Sequence, residues 1–229
     1  MTTQSVLDPG DLLMVQERER ALARVFQRQG YRTLQDARVF EAGCGGGYNL
    51  RQMVQWGADP EHVRGMDVAE ERVAYARMHS PGLQIHLGSA EQVPEGDRAF
   101  DISLAFTLFS SIHDEGVAER IAMELFRITR PGGLILVYDM RRKSPGNRSV
   151  HPIERDDIQR WFPKCRVKTR HLTLAPPIAR KGRFAPFLYG PLASIPPLRT
   201  HSLHVMRRPA MSPFDEENPD VSKAGVASK

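Results

Sequence analysis

Glu41, Gly43, Gly45 and Gly47 stand at every second position of the stretch Val39-Phe40-Glu41-Ala42-Gly43-Cys44-Gly45-Gly46-Gly47-Tyr48-Asn49-Leu50. An acid beside a run of glycines can meet a cationic ligand at close range. Residues without Cβ let the backbone approach and take angles that other residues avoid. Asp67 lies 20 residues beyond Gly47, at the end of His62-Val63-Arg64-Gly65-Met66-Asp67. A carboxylate at that separation can accept both hydroxyls of a ribose, as in doubly wound nucleotide-binding folds; capping the helix that follows is its plainer role. His113, just after the apolar run Phe100–Phe106, is the candidate general base, with a surface loop position as the alternative.

Two familiar phosphate-binding patterns fail here. In G-x-G-x-x-G the third glycine would fall on Tyr48, and no Gly-Lys-Ser/Thr follows to complete a P-loop. Cys44 fills a turn position that needs a small residue; a nucleophilic thiol is the other role open to it.

Positioning these residues takes short strands that end at one edge and helices that follow them. Residues 11–29 carry Leu12, Leu13, Val15, Leu22, Val25 and Phe26 at helical spacing, with Gly30 as a stop. A strand over 38–42 leads through the glycine turn into a helix over 49–56. A strand over 62–67 leads into a helix over 68–77 with Glu70 and Glu71 near its positive end. Strands over 83–87 and 100–106, a helix over 115–128 and a strand over 134–139 continue the alternation. A helix over 152–162, a strand over 166–174, a long proline-rich loop or lid over 175–197 and a last strand over 199–207 complete it. From Met211 the chain is polar and acidic, and 211–229 is expected to be a disordered tail.

The spacing Glu41-x-Gly43-x-Gly45-x-Gly47 resembles the first motif of the class I S-adenosylmethionine-dependent methyltransferases. Gly65-Met66-Asp67-Val68-Ala69-Glu70-Glu71-Arg72 resembles their second motif, and Arg130-Pro131-Gly132-Gly133 before an apolar strand is a third likeness. The resemblance covers roughly residues 38–140. It implies an α/β fold: a Rossmann-like, doubly wound, seven-stranded, mostly parallel sheet with helices on both faces and the last strand antiparallel. It divides the chain into an N-terminal helical cap (1–30), a cofactor-binding domain (31–210) with acceptor or lid loops in 140–198, and the tail. It implies S-adenosylmethionine as cofactor, held by Glu41, Gly43, Gly45, Gly47, Asp67, Val68, Ser89, Ala90 and Phe106. Many members carry an acid where Ser89 stands, so the contact to the adenine amino group is weaker or moves elsewhere.

The 229 residues carry a formal charge of +5, spread unevenly. Residues 141–210 hold 16 Lys/Arg against Glu154, Asp156 and Asp157. A basic half suits an anionic partner or a solvated face. Two cysteines make neither a disulfide framework nor a zinc site, and no apolar run reaches membrane-spanning length, so a reduced, cytoplasmic protein is expected. No metal is expected, since only Asp139 stands where the metal-using branch gathers carboxylates. The place of the Asn/Asp-Pro-Pro-aromatic motif of base-directed enzymes reads Ala105-Phe106-Thr107-Leu108. His151, His171, His201 and His204 compete with His113 as base. The expected function is methyl transfer to an oxygen or nitrogen of a small anionic or glycosylated metabolite. An RNA or protein methyltransferase using the basic half, or a non-catalytic cofactor-binding module, is the alternative.

Overall fold

The computed structural model describes residues 7–142, 150–181 and 186–210. In chain order the elements are α1 (Pro9–Arg28), β1 (Val39–Ala42), α2 (Tyr48–Gln55), β2 (Val63–Asp67), α3 (Glu70–His79), β3 (Gln84–Leu87) and β4 (Phe100–Phe106). They continue with α4 (Glu115–Ile128), β5 (Thr129–Met140), α5 (Arg155–Trp161), β6 (Lys168–Leu174), α6 (Pro176–Lys181), α7 (Tyr189–Ala193) and β7 (Arg199–Arg207). One seven-stranded sheet runs β3-β2-β1-β4-β5-β7-β6. The pairs from β3 to β5 are parallel, and β7 is antiparallel to both β5 and β6. Strand order therefore reverses between β1 and β4, where open α/β sheets place their ligands.

Successive strand residues face opposite sides of the sheet. Val39 joins Leu22, Phe26, Leu50, Met53, Val73 and Ala76 in the core beneath α1, α2 and α3. Phe40 faces the other way, into the core that Ile121, Leu125, Ile158 and Trp161 close from α4 and α5. These two cores make a three-layer α/β/α molecule and fix the height at which β1, β2 and β4 end.

Three segments differ by more than two residues from the sequence expectation. β5 starts at Thr129 rather than 134, because Thr129 already pairs with Phe100 while its hydroxyl donates to the Leu125 carbonyl at 2.6 Å. α5 starts at Arg155 rather than 152, since Glu154 and Asp157 form a capping box there. The 175–197 stretch, expected as a loop, holds α6, α7 and two 3₁₀ turns; its prolines sit in first turns, where a missing N–H costs nothing. The 211–229 tail and part of the basic loop after β5 lie outside the described residues.

α1 is capped by Asp8, whose carboxylate accepts from Gly10 and Asp11 N–H, and its first turns lie against α6. A Cβ on Gly10 would stand 2.4 Å from the Ala179 carbonyl oxygen. Helix propensity alone would make Gly10→Ala stabilising by about 1 kcal/mol, whereas overpacking against backbone costs about 1–3 kcal/mol. Net destabilisation in urea denaturation is expected, and a stabilised variant would show that α1 and α6 do not approach this closely.

Candidate active site

Three glycine-turn and strand-end hydrogen bonds build the crevice above β1 and β2. Gly43, Gly45 and Gly47 have φ of +67°, +53° and +75°, angles that L side chains rarely adopt. Cys44 N–H donates to the Met66 carbonyl at 3.0 Å, tying the turn to the end of β2. Asp67 then fixes both sides: one carboxylate oxygen accepts from Gly45 N–H at 2.8 Å and the other from Ala69 N–H at 2.9 Å. The turn and the start of α3 thus share one buried acid. A Cβ on Gly43 would lie 2.8 Å from Leu108 Cδ1, whereas one on Gly45 would meet nothing within 4 Å. Gly43 is therefore closed against the end of β4, and Gly45 faces open space.

Glu41 is fully buried at the mouth of this turn. Its Oε1 accepts from Asn49 Nδ2 at 2.6 Å, while Oε2 has no hydrogen-bond partner among the described residues. Burial, only partly offset by Asn49 and by the field of Arg18, pushes its pKa up to about 8. Arg18 comes from α1, one turn from the buried Met14 and Leu22. Its guanidinium lies 5.5 Å from the Tyr48 ring and 5.6 Å from the Tyr138 ring, and its Nε is buried without a hydrogen bond among the described residues. An unsatisfied buried polar atom costs about 1–3 kcal/mol; a ligand carrying an anion near Arg18 and a cation near Glu41 would remove both costs. Burial and the negative charges of Glu41 and Asp67 push the Cys44 thiol up, away from the thiolate a nucleophile needs.

On the β5–β7–β6 side, Tyr138 stacks on His201 with centroids 4.9 Å apart, and its hydroxyl meets Thr173 Oγ1 at 2.5 Å. Glu17 of α1 accepts from Thr173 N–H at 3.0 Å and from the Tyr189 hydroxyl at 2.7 Å, so the first helix and α7 close over this wall. Burial, aided by Arg18, pushes His201 down to about 4 and leaves a neutral imidazole. Sequence reasoning missed Arg18 and Tyr138. A charge on the apolar stripe of α1, between Met14 and Leu22, was the available signal for Arg18. Tyr138, inside an apolar strand, carried none.

The remaining sequence candidates fall in three places. Val68 is 71% exposed beside Asp67. Ser89 Oγ donates to Glu91 Oε1 at 2.9 Å in the turn after β3, with Ala90 buried next to it. Phe106 ends β4 with its ring packed edge-on to Tyr138, and Thr107 follows at φ +52°. His113 is exposed in the loop between β4 and α4, 5.9 Å from the His151 ring, beside a cavity of about 230 Å³ that Glu115, Asp157 and Arg160 also line. His171 is bonded to Ser202 and His204 to Thr169, the latter fully buried. Asp139 is buried too; it accepts from Ser110 and Met140 N–H, and burial raises its pKa. It holds the ends of β4 and β5 together. Among the described residues no three His, Cys, Asp or Glu side chains converge as a metal site, and no helix is long and apolar enough to cross a membrane.

The family described as "Methyltransferase domain" matches residues 39–133. A ubiquinone biosynthesis O-methyltransferase of Maricaulis maris is 32% identical over 144 residues, covering 61% of this chain and 54% of that protein. A malonyl-(acyl-carrier protein) O-methyltransferase of Serratia marcescens is 36% identical over 98 residues, 43% of this chain and 36% of that protein. The chain thus spans about half or less of the length of these relatives. Among solved structures the (4+2)-cyclase SpnF superposes with a TM-score of 0.60 at 17% identity, over 84% of this chain and 83% of that one. That likeness concerns the fold alone.

The raised pKa of Glu41 gives a signed expectation. Between its ordinary 4.5 and about 8 the folded chain binds a proton that the unfolded chain releases. The stability tied to this group is full below the lower value and is lost as pH rises through the upper one. Glu41→Gln should therefore lose less melting temperature than the wild type across that window. Parallel profiles would mean that Glu41 is ionised throughout.

Proposed function

We propose that this chain, whose residues 39–133 match a methyltransferase-domain family, is a class I S-adenosylmethionine-dependent methyltransferase that transfers a methyl group from S-adenosylmethionine to an oxygen or nitrogen of a small metabolite. The observation that carries this reading is the pairing of a glycine turn with two acids: Asp67 bridging Gly45 and Ala69, and Glu41 buried with one oxygen that has no hydrogen-bond partner among the described residues. When bound, the cofactor supplies an electrophilic methyl on a positively charged sulfur, a leaving group that needs no further activation.

The chain's own residues then orient and exclude. Asp67 has lone pairs left on both oxygens to accept the two ribose hydroxyls. Gly43, Gly45 and Gly47 let backbone N–H groups and the start of α2 approach the amino-acid end. Glu41 faces its ammonium and Arg18 its carboxylate, which meets the demand of both unsatisfied atoms. Val68, Ser89 and Ala90 flank the adenine, and the Phe106–Thr107 corner borders the reacting centre. Holding two reactants in line can supply on the order of 7–11 kcal/mol of the barrier, so positioning carries most of the rate. His113 is proposed as the base for an acceptor that must lose a proton. The matched relatives named as O-methyltransferases support oxygen as the receiving atom, and the basic composition of residues 141–210 supports an anionic or glycosylated acceptor.

Asp67→Ala removes two hydrogen bonds to a charged acceptor, worth about 1.5–3 kcal/mol each. Calorimetry should find S-adenosylhomocysteine bound at least about a hundredfold more weakly; unchanged affinity sinks the site assignment. Incubation of the wild type with labelled cofactor and a metabolite extract should yield S-adenosylhomocysteine and one compound heavier by a methyl. With that compound in hand, His113→Ala should slow transfer by about 10²-fold or more and leave cofactor affinity intact. An unaffected turnover removes His113 from the mechanism.

A further inference from the structure

Positive charge gathers on the sheet edge beyond Tyr138 and His201. Arg141 and Arg142 follow β5, Arg199 opens β7, and His171 lies on β6. Strand pairing brings them together, with Met140 opposite His201 and His171 opposite Ser202. Arg141 Nη1 donates to the carbonyls of Arg199 at 3.1 Å and Pro196 at 3.5 Å. Arg199 Nη1 donates to the His171 carbonyl at 2.7 Å, and its Nε to the carbonyl of Ala193. Both guanidinium groups are half-buried and held in place by neutral acceptors.

Among the described residues none of Arg141, Arg142 and Arg199 has a carboxylate within ion-pair distance. Glu154 is the acid whose field reaches Arg141. Burial and the fields of Arg141, Arg199 and Arg142 lower the proton affinity of His171, and burial with Arg142 lowers that of Arg141. Arg141 and Arg199 are thus fixed close to Arg142, and none of the three has an ion-pair partner among the described residues. Guanidinium forks match the planar or tetrahedral oxygens of an oxyanion.

We propose that Arg141, Arg142 and Arg199 form an oxyanion subsite for the acceptor, so that the methylated substrate is a small molecule carrying a phosphate or carboxylate. The assignment of this anion to an acceptor rests on the methyl-transfer reading. Tyr138 pairs with Phe106 at the end of β4 and precedes Arg141 by three residues, which along a strand spans about 10 Å. Arg141 therefore follows β5 just beyond the strand end that meets the Phe106–Thr107 corner.

Calorimetry on the full chain tests this with inorganic phosphate, succinate and S-adenosylhomocysteine, in the wild type and in the Arg141→Gln/Arg142→Gln double variant. Saturable binding of phosphate or succinate is expected, weakened about tenfold or more in the double variant, with S-adenosylhomocysteine affinity the same in both. Phosphate alone identifies a phosphoester, and succinate alone a carboxylic acid. The proposal is overturned if neither anion binds or if the double variant binds them as the wild type does. It is also overturned if an oligoribonucleotide binds in their place with a salt slope of several phosphates. Anion binding as expected, in a wild type that does not take S-adenosylhomocysteine, would keep the subsite and discard the methyl-transfer reading.

Discussion

Asp67 accepts from Gly45 at one carboxylate oxygen and from Ala69 at the other, so the turn after β1 and the start of α3 cannot move independently. Everything above the sheet takes its position from that bridge. The turn's left-handed glycines can then face open space at Gly45 while closing on Leu108 at Gly43. Placing the acid between two backbone N–H groups keeps its charge satisfied in a buried setting, where an unpaired carboxylate would be costly. Glu41, one strand away, has only half of that support, and burial raises its pKa accordingly.

The crevice has a roof made of distant parts of the chain. Glu17 and Arg18 come from the first helix, Tyr138 and His201 from the antiparallel side of the sheet, Thr173 and Tyr189 from the segment after α5. The two walls differ in character: the turn side is built from backbone polar groups, the roof from aromatic rings around one guanidinium. A ligand with a polar end and a planar body suits such an asymmetric chamber.

How much of this was legible in the residues depends on how local each device is. The glycine turn and Asp67 could be read because a positive-φ turn demands glycine and because a strand–helix unit fixes the interval to the next strand end. The seven-stranded, mostly parallel sheet with its last strand antiparallel followed from the resemblance carried by those same motifs. Arg18 was hidden among Glu17, Glu19 and Arg20, although its place between Met14 and Leu22 set it on the buried stripe. The helices of 175–197 were obscured by prolines, which break helices in their interior yet are welcome in first turns. The basic half was visible as composition only. Arg141 and Arg199 are 58 positions apart, and nothing short of the β5–β7 pairing joins them.

The seat of α1 bears on how the molecule is made. Asp11 is ion-paired with Arg180, 169 residues later, and Gly10 lies against Ala179. On a ribosome adding roughly 5–20 residues each second, the first helix emerges roughly 10–35 s before its docking partner exists. Its apolar stripe is without that partner through the interval. The half-sheet β1–β4 can meanwhile assemble from neighbouring segments, so the glycine turn is expected to take shape before the roof that covers it.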